Sequence, residues 1–168
     1  MRLVPAIRST LCGFLCLGTA NAHADVTVRF IEGAPKDRFV IANEGNCAID
    51  VASVTIDLAR TAGRLIFDVT DQGAGVEVFQ PLEIVEGSGL LASVPSVRDG
   101  DRQITLAMGT LPAGGRVGFT IDVDDTVSSR QITVDGAEID GGTVALTGSR
   151  RGTAVFGADA RARIATGC

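Results

Sequence analysis

The feature that most constrains this chain is a period-two alternation of apolar and polar residues, cut into short runs by glycine-rich turns. In residues 51–58, Ala52, Val54, Ile56 and Leu58 alternate with Val51, Ser53, Thr55 and Asp57. In 117–124, Val117, Phe119, Ile121 and Val123 alternate with Gly118, Thr120, Asp122 and Asp124. In 64–70, Leu65, Phe67 and Val69 alternate with Arg64, Ile66, Asp68 and Thr70. Successive side chains on a strand point to opposite faces. The first set in each segment is therefore expected in the core and the second in solvent. No segment sustains a period of 3.6, so no helix of note is expected. Strands are predicted at 26–31, 38–43, 49–58, 64–70, 103–108, 116–122, 132–134, 143–147, 153–156 and 161–165, with two more inside 76–85 and 90–97. Turn signals such as Asp71-Gln72-Gly73, Asp99-Gly100-Asp101 and Pro112-Ala113-Gly114-Gly115 separate them. The expected fold class is all-β: a single-domain antiparallel β-sandwich, jelly-roll-like, of about ten to twelve short strands.

The N-terminus reads as an export signal. Arg2 and Arg8 give a positive start, Leu11–Leu17 is apolar, and Ala22-His23-Ala24 is a cleavage site of the A-x-A kind. Cleavage there takes 24 of the 168 residues and leaves 144, enough for one domain at 25–168. Two arginines leave with the signal, so 13 of the 15 basic residues face all 20 acidic ones, a formal charge of −7. That balance argues against nucleic acid and anionic membranes, which need basic patches. The apolar run is too short to stay in a bilayer, so no stable membrane insertion is expected. The expected location is periplasmic or extracellular.

Cys12 and Cys16 lie in the signal; Cys47 and Cys168 survive it. An exported pair is expected to form a disulfide, closing a loop of about 120 residues and contributing about 2–4 kcal/mol.

What is missing limits the chemistry. His23 is the only histidine and leaves with the signal, and the chain has no Tyr or Trp. Without histidine there is no Ser-His-Asp arrangement and no His-based zinc site. Without Tyr or Trp the usual stacking surface for sugars or bases is lacking. No catalytic residue is therefore assigned, and the expectation is a protein that is not an enzyme.

Three aspartates stand out: Asp122, Asp124 and Asp125, followed by Thr126. Asp122 and Asp124 share a strand face about 7 Å apart, and hard cations want several convergent oxygens, with Ca²⁺ tolerant of irregular geometry. These residues form a candidate calcium site; the alternative is a solvated strand end opening a turn. Asp68, Asp71, Glu77 and Glu83 could supply a carboxylate pair for glycoside hydrolysis, which any acidic chain offers. Residues 73–83, two glycines leading a short strand that ends at Pro81, suit a sheet edge where another chain could add.

Several segments resemble bacterial exported proteins related to the aggregation factor core of marine sponges. They are SVTIDLA at 53–59, GRLIFDV at 63–69, GAGVEVFQP at 73–81, FTIDVDDT at 119–126 and ITVDGAEI at 132–139. The resemblance implies an extracellular β domain whose sponge relatives assemble in calcium-dependent cell adhesion. The functional expectation is a secreted, non-catalytic domain mediating association, with itself or with a surface polymer or protein, calcium-assisted. A carbohydrate- or ligand-binding module is the alternative, and a carboxylate-only hydrolase the third reading.

Overall fold

The computed structural model describes residues 25–50, 52–72, 79–127 and 134–168. Among them are twelve strands: β1 (Val26–Ile31), β2 (Asp37–Asn43), β3 (Ile49–Asp50), β4 (Ser53–Asp57), β5 (Ile66–Asp68), β6 (Glu83–Glu86), β7 (Gln103–Ala107), β8 (Thr110–Leu111), β9 (Arg116–Asp124), β10 (Thr143–Thr147), β11 (Gly152–Val155) and β12 (Arg161–Ile164). The only helical turns among these residues are two short 3₁₀ segments, Ser88–Leu90 and Gly136–Ile139. One sheet runs β12-β1-β2-β9-β5, with β6 also paired to β9; the second runs β11-β10-β4-β7; β3 and β8 form a separate ladder. Every pair is antiparallel. The fold is the all-β sandwich that the alternation implies. No helix among the described residues is long and apolar enough to cross a membrane.

Both sheets contribute to one core. Phe39, Phe67 and Phe119 come from the first, and Ile56, Ile104, Leu106 and Val144 from the second. Phe39 and Phe119 face each other across the β2–β9 ladder and stack at 5.1 Å. The core positions assigned by alternation in β4, β5 and β9 are all buried.

One topological detail places the site. β5 pairs with β9 from Ile66↔Asp124 to Asp68↔Asp122, and β6 resumes at Glu83↔Thr120 along the same edge. The two are one interrupted strand, since β2 occupies the other edge of β9. The chain leaves that edge after Asp68 and rejoins it at Glu83, and the described residues of this excursion are 69–72 and 79–82.

Several expectations need correction. The solvent face assigned to Ile66, Asp68, Asp122 and Asp124 is buried, because alternation fixes which face a residue is on and not whether that face meets water. The strand expected at 49–58 is split: β3 pairs with β8, whereas β4 joins β7 and β10, so the chain changes partners near Ala52. The strand expected at 64–70 keeps only Ile66–Asp68, because Arg64 has φ of 50° and closes a turn onto Thr61. Residues 90–97 are not a strand: Leu91 makes a single bridge to Met108 and the rest runs irregularly past Pro95. Among the described residues of the region expected at 76–85, pairing begins at Glu83. The signal (1–24), Glu77, most of the glycine-led segment 73–81 and residues 132–133 lie outside the described residues.

The opposite pole is closed by Asp25 and the segment ending at Cys168. Cys47 and Cys168 form the expected disulfide, 121 residues apart in sequence. Asp25 Oδ2 accepts from the Thr166 amide (2.8 Å), the Thr166 hydroxyl (2.9 Å) and the Cys168 amide (3.0 Å). These bonds, the Thr166 amide foremost, hold its carboxyl below the usual range.

Candidate functional site

The site lies where the chain leaves the β9 edge after Asp68. Antiparallel register sets Asp68 directly opposite Asp122 and puts Asp124 one pair further along, opposite Ile66. Directly opposed residues have their side chains on one face, about 5 Å apart at Cβ. One carboxylate oxygen from each of Asp68, Asp122 and Asp124 lies within 4.8 Å of the others. All three residues are buried, with exposures of 1%, 9% and 6%.

Three carboxylates gathered out of water cannot all stay charged at the ordinary cost. Burial, with the charges of Asp124, Asp99 and Asp122 added, raises the Asp68 carboxyl to about 7. Burial and the Asp124 charge raise Asp122 to about 6. Asp37, at the start of β2 and opposite Ile121, is 2% exposed. Burial raises it to about 7, with the charges of Asp122 and Asp124 adding to the shift, although the Gly33 amide donates to it at 3.0 Å.

The hydrogen bonding is uneven. Asp68 Oδ2 is buried and accepts no hydrogen bond, and so is Thr120 Oγ1, one step back on the same face of β9. A buried carboxylate oxygen without a donor costs about 1–3 kcal/mol or more. The donor set is hard oxygen throughout, which suits Ca²⁺ or Mg²⁺ and disfavours soft-ligand metals. Oxygens on either side of one Ca²⁺ lie up to about 5 Å apart, given Ca–O distances of about 2.3–2.6 Å. The observed spread fits that span.

The structure thus brings together two of the three aspartates expected to hold calcium. Asp125 stands apart from this group, and its side chain accepts from the Val127 amide at 3.1 Å, shaping the turn after β9. Asp68 takes the third position. Of the carboxylates considered for hydrolysis, Asp68 is in the pocket, Asp71 is exposed, and Glu83 is exposed and paired with Lys36 at 2.9 Å. Asp99-Gly100-Asp101 forms the tight turn its composition suggests, with Gly100 at φ 79°. Asp99 also anchors the excursion by accepting from the Val69 and Thr70 amides (2.8 and 2.9 Å) and from the Thr70 hydroxyl. Asp135 caps the second 3₁₀ segment through a reciprocal pairing with Glu138.

Sequence reasoning missed Asp37 and Lys36. The Lys36 side chain is 15% exposed, and its Nζ donates to the Pro81 carbonyl at 3.1 Å. Its charge also acts on Asp122, opposing the rise of that carboxyl. It is the only lysine in the chain, a signal that composition carried without saying where it pointed.

Beside the pocket the excursion forms an apolar cleft of about 270 Å³, lined by Val69, Phe79, Pro81, Leu82, Val94 and Val97 among others. Phe79 and Val94 are exposed by 67% and 66%. No protein-family model matches this chain, and no significant relative is found among curated proteins.

Proposed function

We propose that this chain is an exported, non-catalytic β-sandwich that works by association, with itself or with a surface polymer or protein, and that it takes a divalent cation of the calcium class at Asp68, Asp122 and Asp124. The observation that carries the cation is the buried Asp68 Oδ2, which accepts no hydrogen bond although it sits among carboxylates. Two of the segments that resemble the sponge-related exported proteins, 63–69 and 119–126, contain these three aspartates. Export accords with the N-terminal signal and with the Cys47–Cys168 disulfide.

A non-catalytic role rests on the lack of His, Tyr and Trp beyond residue 24 and on the burial of the acidic group, which leaves a sugar ring no approach to a carboxylate pair. The apolar cleft beside the pocket favours a second reading, a ligand-binding module without an assembly role.

The test is calorimetric titration of residues 25–168 with Ca²⁺, Mg²⁺ and Na⁺, alongside sedimentation of the same protein in calcium and in chelator. Calcium binding with a change in mass supports association; calcium binding without one supports the ligand-binding module. Heat indistinguishable from that of sodium overturns the cation site.

A further inference from the structure

We propose that the outer face of the first sheet is a docking surface for an acidic polysaccharide, whose carboxylate or sulfate groups are held by Arg29, Arg161 and Arg163. This rests on the association reading above and names its partner; it does not depend on the cation.

The register lays the face out. Val26, Val28, Ala162 and Ile164 turn one side of β1 and β12 to the core, and the arginines take the other. Cross-strand partners run Arg163–Thr27–Ala42–Arg116 in one row and Arg161–Arg29–Val40–Gly118 in the next. Arg38 follows, opposite Ile31 and Thr120. Directly opposed residues share a face. Five arginines from four strands therefore stand on this one, of the twelve that lie beyond residue 24.

Arg38 and Arg116 are already engaged: they take the two oxygens of Glu86, at 2.9 and 3.0 Å. Arg163 pairs with Asp159 at 2.7 Å, but both side chains are about half exposed, and water competes for such a pair. Arg29 and Arg161 make no ion pair among the described residues, and they are direct cross-strand partners. Asp159 meets Arg161 only as a nearby charge. Like charges directly opposite each other destabilise a sheet, so this face carries a repulsion that a bound anion relieves. Opposed Cβ atoms lie about 5 Å apart, and the diagonal neighbour, here Arg163, about 7–8 Å from Arg29. Two planar guanidinium forks at that spacing can close on one carboxylate or sulfate. A third beside them takes the next acidic group of the same polymer. Arg161 and Arg163 are exposed and lie on the edge strand β12, open to a long chain.

The surroundings select the partner. Beyond residue 24 the chain has 13 basic and 20 acidic residues, so its overall field repels polyanions and binding depends on short-range pairing. No Tyr or Trp is present to stack on bases or sugar rings, which disfavours nucleic acid and neutral glycans. The acidic group Asp68, Asp122 and Asp124 is buried and is not presented to the arginines of a second copy. A polysaccharide with pendant acidic groups needs only the guanidiniums.

The test titrates residues 25–168, in chelator, with alginate for carboxylate, dextran sulfate for sulfate, neutral dextran and single-stranded DNA, at low and at raised salt. The variants are Arg29→Gln/Arg161→Gln and, with the same loss of charge, Arg98→Gln/Arg102→Gln, two exposed arginines outside the strands. Wild type should bind at least one acidic polysaccharide, more weakly as salt rises, and ignore neutral dextran. Arg29→Gln/Arg161→Gln should lose about tenfold or more in affinity, whereas the control pair stays within about twofold of wild type. If wild type binds neither acidic polysaccharide, or if both variants lose affinity alike, the docking surface is overturned, and sedimentation in calcium still decides the association reading. Tighter binding of single-stranded DNA, or a mass increase in chelator without polymer that Arg29→Gln/Arg161→Gln abolishes, gives the face to nucleic acid or to a second copy and equally overturns the proposal. Should the double variant fail to fold, Arg161→Gln alone, an exposed change on an edge strand, decides by the same comparison.

Discussion

Removing one of the buried acids should make the metal-free protein more stable, not less. Asp68→Asn takes away a charge and gives the pocket an amide that can donate to its neighbours. A carboxyl raised from 3.8 to about 7 carries, when ionised above that pH, about 4 kcal/mol of destabilisation. The acids share this repulsion, so removing one recovers only part of it, about 2 kcal/mol. For a domain of this length that corresponds to a rise in melting temperature of roughly 5 °C. Calcium acts on wild type in the same direction: at 100 times its dissociation constant it contributes about 2.7 kcal/mol. The two gains should not add, because Asp68→Asn removes the ligand through which calcium works. The assay is thermal melting at pH 8 in chelator, calcium, magnesium and sodium at matched ionic strength. Wild type should rise in calcium, less in magnesium, which holds its waters more tightly, and no more in sodium than screening explains. Asp68→Asn should start high in chelator and stay there. A variant that melts below wild type in chelator and still responds fully to calcium would refute the reasoning.

Three further outcomes follow from the same structure. In chelator, wild type should lose stability as pH rises from about 4 to about 7: Asp37, Asp68 and Asp122 hold protons there that the unfolded chain has released, so the folded state is favoured at low pH. Calcium should flatten that slope, and melting curves from pH 4.5 to 8 read both; stability rising through this window in chelator would contradict the assignment. Protein from an oxidising compartment should show no free thiol on denaturing titration, and Cys168→Ser should lower stability by about 2–4 kcal/mol while keeping the β-type circular dichroism spectrum. Asp25→Ala strips the acceptor from two amides and a hydroxyl and should cost about 3 kcal/mol in chemical denaturation; a loss below about 0.5 kcal/mol would show the C-terminal tail is held by the disulfide alone.

Alternation made the strands legible and the partners illegible. β1 and β10 fall where the pattern sets them, because Val26, Val28 and Phe30 in one and Val144 and Leu146 in the other face the core at alternate positions. Alternation puts Asp68, Asp122 and Asp124 on the correct strand faces, but those faces are buried and not in solvent. A period of two fixes which side a residue points to; it does not say what else lies on that side, and here the answer depends on a β5–β9 register 54 residues apart in sequence. That long-range pairing turned Asp68 from an outward residue into a member of the pocket and left Asp125 to its local turn. Residues 90–97 misled for a related reason: apolar residues that wall a cleft read as a strand when only their composition is seen.

The two poles of β2 have a mechanical meaning. Asp37 at its start borders the acidic pocket, whereas Asn43 at its end lies opposite Val26 and beside the Asp25–Cys168 closure. The strand between them is roughly 20 Å long. Asp25 and Cys168, tied to each other at that end, therefore sit about one strand length from the acidic pocket.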